Sequence, residues 1–275
     1  MRFNFLGTAA AEGFPAIFCN CKYCQQAREK GGKNIRTRSQ ALVDEDLLID
    51  YPADAYAHAL AGKFRFDKVK TLIFTHSHCD HCYAYDLTLR YGAFAHDSEV
   101  ETLHVYCGKG VQELFEREFG TLNLSGVAIH SIKAFEKFQA GAYTITPLPA
   151  RHKFDEDAFI FIIEKNGKRI LYANDTGYFY DEVFEYIEKK GVYFDFVSYD
   201  CTNIEIPITD IEAHMGFPNI LRVRERLQNI GAVDEKTVQY VTHFSHNGNP
   251  DHERLENIAA PLGFKVSYDG HFVEI

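Results

Sequence analysis

Thr75-His76-Ser77-His78-Cys79-Asp80-His81 places four nitrogen and oxygen donors within six residues. The segment follows Leu72-Ile73-Phe74, an apolar run that reads as a strand. His76 and His78 are two apart, so an extended backbone aims both imidazoles to one side. Asp80 and His81 can turn with the loop toward a second position. Such a concentration of donors is poor core material and suits Zn, Mn or Fe. The alternative is a solvated His-rich loop, but loops at strand ends commonly carry sites. Three further residues have similar settings: His152 after Thr146-Pro147-Leu148-Pro149, Asp175 after Leu171-Tyr172-Ala173-Asn174, and His243 after Tyr240-Val241-Thr242. Each alone is an ordinary loop residue at a strand end. With the 76–81 loop they make seven potential ligands.

A second group is Cys19-Asn20-Cys21-Lys22-Tyr23-Cys24, three thiols in six residues after Gly13-Phe14-Pro15. Spacings of one and two residues let three sulfurs converge on one cation. Structural zinc is four-coordinate, and Cys3His is among its usual donor sets. His246, three residues beyond His243, is the candidate fourth donor. Free thiols or a redox pair are the alternatives. The chain has seven Cys, an odd number, and its start lacks the pattern of a secretion signal. A reducing cytoplasmic setting with metal-binding thiolates is therefore expected. Cys79, Cys82, Cys107 and Cys201 are scattered and read as core or loop residues.

These residues need elements to position them. Strand-like runs rich in aromatic and β-branched residues occur at Arg2–Leu6, Ala41–Val43, Leu47–Asp50, Thr71–Thr75, Val127–Ile132 and Tyr143–Pro147. Others lie at Phe159–Glu164, Arg169–Ala173, Phe194–Tyr199, Val238–Thr242 and Phe264–Tyr268. Helical patterns fall between them at Lys22–Lys30, Val111–Phe119, Asp181–Lys190, Asn219–Ile230 and Glu253–Ala259. Many strands with interspersed helices predict two sheets covered by helices, a layered α/β architecture. No linker, repeat or low-complexity tract marks a boundary, so 1–275 is read as a single domain. Apolar runs are strand-sized, well short of the ~20 residues of a membrane helix. The 29 Lys and Arg against 39 Asp and Glu give a net charge of −10. That field disfavours nucleic acid as a partner and admits a small anionic substrate where metal ions supply local positive charge.

The His-x-His-x-Asp-His loop followed by spaced His, Asp and His resembles the metallo-β-lactamase superfamily. The resemblance implies an αββα sandwich with a dinuclear site. His76, His78 and His152 would hold one metal, Asp80, His81 and His243 the second, and Asp175 would bridge them. Two metals ~3.5–4 Å apart can deprotonate a bridging water and clamp attacking and leaving oxygens.

The thiol cluster and Thr242-His243-Phe244-Ser245-His246 narrow the likeness. Together with Gly7-Thr8 to Gly13-Phe14-Pro15, Leu89-Arg90-Tyr91-Gly92, Asp175-Thr176, Asp200-Cys201 and Tyr268-Asp269-Gly270, the chain resembles the phosphoribosyl 1,2-cyclic phosphate phosphodiesterases of bacterial phosphonate breakdown. That resemblance implies a structural Cys3His zinc, a manganese-loaded dinuclear site and a homodimer. His214, in Glu212-Ala213-His214-Met215-Gly216, matches a family proton donor. His214 and Asp80 are thus expected at the chemical step. The implied activity is a hydrolase, a phosphodiesterase opening a small cyclic phosphate such as 5-phosphoribosyl 1,2-cyclic phosphate. The nucleophile would be a hydroxide held by two divalent metals, Mn or Zn, with Fe a further option. Arg90 and Arg151 are candidates for a substrate phosphate or for structural ion pairs, and stay outside the catalytic set. The segment from about Phe94 to Phe119 departs from the family pattern. Competing readings are an RNA 3′-processing nuclease, a thioesterase or a lactonase on the same fold, or a non-catalytic metal-binding protein of cofactor biosynthesis. An RNA enzyme should offer a basic arm or patch, and the sequence has none.

Overall fold

The computed structural model describes residues 1–62, 64–120 and 124–275. Among the described residues, fourteen strands form two seven-stranded sheets. The first sheet takes Arg2–Gly7 (β1), Gln40–Val43 (β2), Leu47–Ile49 (β3), Thr71–Ile73 (β4), Leu103–Cys107 (β5) and Val127–Ser131 (β6). The second takes Phe138–Ala140 (β7), Tyr143–Pro149 (β8), Phe159–Lys165 (β9), Lys168–Ala173 (β10), Phe196–Asp200 (β11), Val238–Thr242 (β12) and Lys265–Val266 (β13). His271–Glu274 (β14) returns to the first sheet, whose order is β14-β1-β2-β3-β4-β5-β6. The second runs β13-β12-β11-β10-β9-β8-β7.

Period-two alternation makes the layers. Phe3 and Phe5 of β1, Leu47 and Ile49 of β3, and Ile73 of β4 face the second sheet. There they meet Tyr143, Phe159, Phe161, Tyr172, Phe196 and Tyr240. The ring centroids of Phe3 and Phe196 are 4.9 Å apart, and those of Phe5 and Tyr240 are 5.3 Å apart. Leu48 and Leu72, one residue out of phase, face outward with Val105 onto Lys109–Phe119 (α3) through Val111, Leu114 and Phe115. On the far side of the second sheet lie Asp181–Lys190 (α4), Phe217–Asn229 (α5) and His252–Ala259 (α6). They pack through Val183, Phe184 and Ile187, then Ile220, Val223 and Leu227, then Leu255 and Ala259. The order helix, sheet, sheet, helix is the expected αββα sandwich. Two of these helices start and stop as their sequences dictate. Helix α4 opens on Asp181-Glu182 and ends on Lys189-Lys190 before the left-handed Gly191, so charges complement both termini. At α6, Asp251 caps the start by accepting from the Arg254 backbone N–H at 3.1 Å.

Three strands escaped the sequence reading: β5, β7 and β14. β5 carries exposed His104 and half-buried Tyr106 on alternate positions, which dilutes its apolar run. β7 has only three residues, and β14 keeps His271 and Val273 half-buried and Phe272 and Glu274 exposed. The helix Ala55–Leu60 (α2) was also unread, since its six residues are too few to show a period. The segment from about Phe94 to Phe119 supplies β5, an interior strand of the first sheet, and α3. Among the described residues, no helix is long and apolar enough to cross a membrane.

Candidate metal centre

Strand ends converge at one rim of the sandwich, as α/β folds favour. Within the first sheet, β3 and β4 are parallel and deliver Asp50 and the 76–81 loop. In the second, β8 delivers His152, while parallel β10, β11 and β12 deliver Asp175, Asp200 and His243. Asp50, Asp175 and His243 have φ of 63°, 55° and 62°. Non-glycine residues rarely adopt this left-handed conformation, and its appearance at three strand ends marks backbone strained to aim side chains inward.

All seven residues of the expected set are brought together in two groups sharing Asp175. Donor atoms of His76, His78, His152 and Asp175 lie within 4.8 Å of one another, as do those of Asp80, His81, Asp175 and His243. His78 Nδ1 sits 2.9 Å from both His76 Nε2 and His152 Nε2. Asp175 Oδ2 is 3.2 Å from His76 Nε2, 2.9 Å from His81 Nε2 and 3.8 Å from His243 Nε2, and Oδ1 is 3.3 Å from His152 Nδ1. His81 Nε2 is 3.3 Å from Asp80 Oδ2.

Three buried atoms here, His81 Nε2, His243 Nε2 and Asp175 Oδ1, have close neighbours but none in hydrogen-bond geometry. Such orphans are costly unless another group satisfies them. His78 Nδ1 meets two ring nitrogens at once, and a ring nitrogen has one proton or one lone pair, so it cannot satisfy both. The donor set and its orphaned atoms therefore fit divalent cations bound by nitrogen and carboxylate oxygen.

Charges alternate through the cluster. Burial alone would raise the Asp175 carboxyl, but the imidazoles of His243, His152, His81 and His214 outweigh it and hold it well below the usual carboxylate range. Burial disfavours a charge on His81, yet Asp80, Asp50 and Asp175 more than offset it and raise its proton affinity well above normal. His76, buried among His81, His152 and His78, moves the other way despite Asp175.

A surrounding layer orients the rings, the usual arrangement behind candidate ligands. Asp50 Oδ2 lies 2.7 Å from His81 Nδ1, and the same carboxylate accepts from the Thr75 backbone N–H at 2.8 Å. Thr202 Oγ1 lies 2.8 Å from His243 Nδ1. Glu156 accepts from the Ser77 backbone N–H and from Ser77 Oγ, both at 2.6 Å, and so ties down the loop between His76 and His78. Asp50, Glu156 and Thr202 were not singled out from sequence. Asp50 had one signal, a carboxylate directly ending a strand; the other two had none.

His214 stands against this cluster, with Nδ1 3.1 Å from Asp175 Oδ1 and 3.0 Å from Asp200 Oδ2. Burial would lower its proton affinity, but these two carboxylates push the pKa up to about 9. Asp200 is fully buried and fixed in turn: Oδ1 accepts from the backbone N–H groups of Thr202 at 3.0 Å and Met215 at 3.1 Å. A cavity of about 370 Å³ opens over His78, His152, His214 and His243. Arg90 and Arg151 do not line it. Arg151 donates from Nε to the Tyr178 carbonyl at 2.9 Å and stacks on Tyr180, while Arg90 Nη2 donates to the Val100 carbonyl at 3.1 Å.

The model of the family described as a beta-lactamase superfamily domain matches residues 47–244. The chain belongs to the beta-lactamase superfamily. The matched span contains all seven residues of the two groups and leaves the thiol cluster outside it. Solved structures agree in fold. A diphosphatase from the PhnP family is 19% identical with a TM-score of 0.77, covering 100% of this chain and 97% of the other. Zn(2+)-bound PqqB from Methylobacterium extorquens is 17% identical with a TM-score of 0.74, covering 100% of both chains. The short form of human tRNase Z is 14% identical with a TM-score of 0.68, covering 100% of this chain and 99% of that one. No curated protein matches the chain in sequence.

Outside the superfamily match, Cys19, Cys21, Cys24 and His246 also converge, with donor atoms within 4.8 Å of one another. His246 Nδ1 is 3.8 Å from Cys21 Sγ and 3.7 Å from Cys24 Sγ. Two of these residues lie at or within the start of Lys22–Lys30 (α1): Cys21 is its N-cap, and Cys24 packs with Ala27 on Phe14 and Ala16. The expected fourth donor is thus in reach of the sulfurs, and this set fits one tetrahedral zinc.

Proposed function

We propose that this chain is a metal-dependent phosphodiesterase that opens a small cyclic phosphate, of which 5-phosphoribosyl 1,2-cyclic phosphate is the reference compound. The observation that carries this reading is His214, an imidazole fixed by Asp200 beside the seven-residue cluster and facing the same cavity. His76, His78, His152 and Asp175 would hold one divalent cation, and Asp80, His81, Asp175 and His243 a second. Such a pair supplies a nucleophile from water at neutral pH and neutralises charge on the phosphate oxygens. Cys19, Cys21, Cys24 and His246 would hold a separate, structural zinc.

The chain's own residues do the rest. Asp200 engages His214 Nδ1 at 3.0 Å, which leaves Nε2 to give up a proton. Water adds to phosphorus, the ring P–O bond breaks, and the departing oxygen takes that proton, leaving a phosphomonoester. A general acid of this kind contributes about 10²–10⁴ in rate. The likeness to a PhnP-family diphosphatase supports chemistry at phosphorus.

The test is phosphorus NMR of 5-phosphoribosyl 1,2-cyclic phosphate with metal-loaded protein and with His214→Ala. Ring opening to a single ribose bisphosphate, lost in the variant while its metal content stays intact, is the expected result. Metal loss in the variant would remove His214 from the chemical step. No conversion of this or other cyclic phosphates by fully loaded protein would overturn the phosphodiesterase reading.

A further inference from the structure

Glu12 shares the walls of the reaction cavity with His78, His152, His214 and His243. It arrives on the loop after β1 and is fixed from one side only. Its Oε1 accepts from Ser245 Oγ at 2.6 Å and from the His246 backbone N–H at 3.2 Å. Its Oε2 makes no hydrogen bond among the described residues. Beside it, Asn203 and Asn247 line the same cavity, and their side-chain amides are likewise uncommitted. Among the described residues, no Lys or Arg reaches this wall. The nearby arginines are engaged elsewhere: Arg38 Nε donates to the Ala11 carbonyl at 2.9 Å and Nη1 pairs with Asp54 at 3.1 Å, while Arg151 is held by Tyr178 and Tyr180.

We infer that the part of the substrate beyond the reacting phosphoryl group is an uncharged, hydroxyl-rich body carrying no second phosphate, and that Glu12 sets this preference. The inference rests on the phosphodiesterase reading and narrows it to cyclic phosphates without a second phosphate, among which the 5-phosphoribosyl reference compound is then the poorer substrate. A free carboxylate oxygen accepts from a sugar hydroxyl, and Asn amides both donate and accept. The same carboxylate repels a terminal phosphate at close range, where water screens it least. The chain's charge of −10 adds to that repulsion. Cations held by the seven-residue cluster would be matched to the reacting phosphoryl group, leaving the second phosphate facing an acid.

Two compounds differing only in the 5-phosphate decide it. Ring opening of ribose 1,2-cyclic phosphate and of its 5-phosphorylated counterpart is measured on the metal-loaded full chain and on Glu12→Gln. Gln keeps the oxygen that accepts from Ser245 and His246 and removes only the charge. Expected is a kcat/KM at least about tenfold higher for the compound without the 5-phosphate. In Glu12→Gln that ratio should fall toward unity, chiefly by improved KM for the phosphorylated compound. A preference for the phosphorylated compound, or a ratio unmoved by the substitution, overturns the inference. Calorimetric binding of ribose 1-phosphate and ribose 1,5-bisphosphate separates this from the parent reading. If neither cyclic compound is opened, the phosphodiesterase assignment falls. Tighter binding of the monophosphate, lost in Glu12→Gln, would then still uphold the preference, and equal or tighter binding of the bisphosphate would end it.

Discussion

Asp200 Oδ2 lies 3.0 Å from His214 Nδ1 and 3.6 Å from His243 Nδ1, so one buried carboxylate at the end of β11 faces two rings of the cluster. The two rings do not depend on it equally. His243 Nδ1 also has Thr202 Oγ1 at 2.8 Å, whereas Thr202 Oγ1 is 3.3 Å from His214 Nδ1. Asp200→Asn should therefore leave bound metal near its full amount while kcat falls by about 10² or more, through a weakened and misoriented donor. Metal content by atomic emission and single-turnover rates check this. Loss of metal parallel to loss of rate would show that Asp200 serves His243 instead.

The thiol cluster predicts a stability effect separable from turnover. Cys24 is fully buried, and its sulfur accepts from the Ala16 backbone N–H at 3.3 Å. Burial raises that thiol to about 11, whereas Cys21, helped by hydrogen bonds from the Cys24 backbone and His246, falls to about 6. A metal that binds only the folded chain adds its binding free energy to folding. Cys24→Ser should release one equivalent of zinc and lower Tm by several degrees. A strong chelator should make three further thiols reactive toward a thiol reagent. Unchanged Tm and thiol count under chelation would show that the sulfurs hold no ion.

Gly110 and Glu156 form a coupled pair at the back of the 76–81 loop. A Cβ at position 110 would fall 1.7 Å from Glu156 Oε2, the oxygen that accepts from Ser77 Oγ. Gly110→Ala must push Glu156 aside and should cost about 1–3 kcal/mol, the usual range for overpacking. Adding Glu156→Ala removes the clash, so the double variant should be less destabilised than the two single costs summed. Denaturant titration of the four proteins measures the coupling. Simple additivity would mean the carboxylate relaxes freely and does not fix the loop.

His252 gives the fold a titration of its own, away from the cavity. Arg36 is buried, and its Nη2 lies 3.1 Å from His252 Nδ1, so that nitrogen must accept and the ring must be neutral. Its Nε2 is 3.0 Å from Glu256 Oε1. Burial, then the Arg36 charge, lower the pKa to about 4 against the Glu256 carboxylate. The unfolded chain takes up this proton near pH ~6.5, before the folded one does. Stability from this group is therefore full above about pH 6.5 and is lost progressively as pH falls toward 4. Unfolding free energies across that window should slope upward with pH in the parent and less so in His252→Asn. Equal slopes would exclude His252 as the source.

Legibility from sequence followed the physics of each element. The seven donors could be read because each ends a strand-like run, and a run of β-branched and aromatic residues announces itself. Apolar runs rich in aromatic and β-branched residues located β1, β3, β4 and β8 to β12 within a residue or two. β5 was missed because His104 and Tyr106 stand on its less buried face, and α2 because six residues hold too little of a 3.6-residue period. Asp200 entered only as part of a family motif, although it is the partner of His214. Asp50, Glu156 and Thr202 act by position alone, and nothing in their residue type or spacing separates them from other polar loop residues.

The two halves of the seven-residue cluster belong to different sheets: His76, His78, Asp80 and His81 to one, and His152, Asp175 and His243 to the other. What separates those sheets is the ring layer of Phe3, Phe5, Tyr172, Phe196 and Tyr240. That layer is therefore a gauge block. Its thickness, set far from any donor atom, fixes how far apart the donors carried by the two sheets stand at the rim.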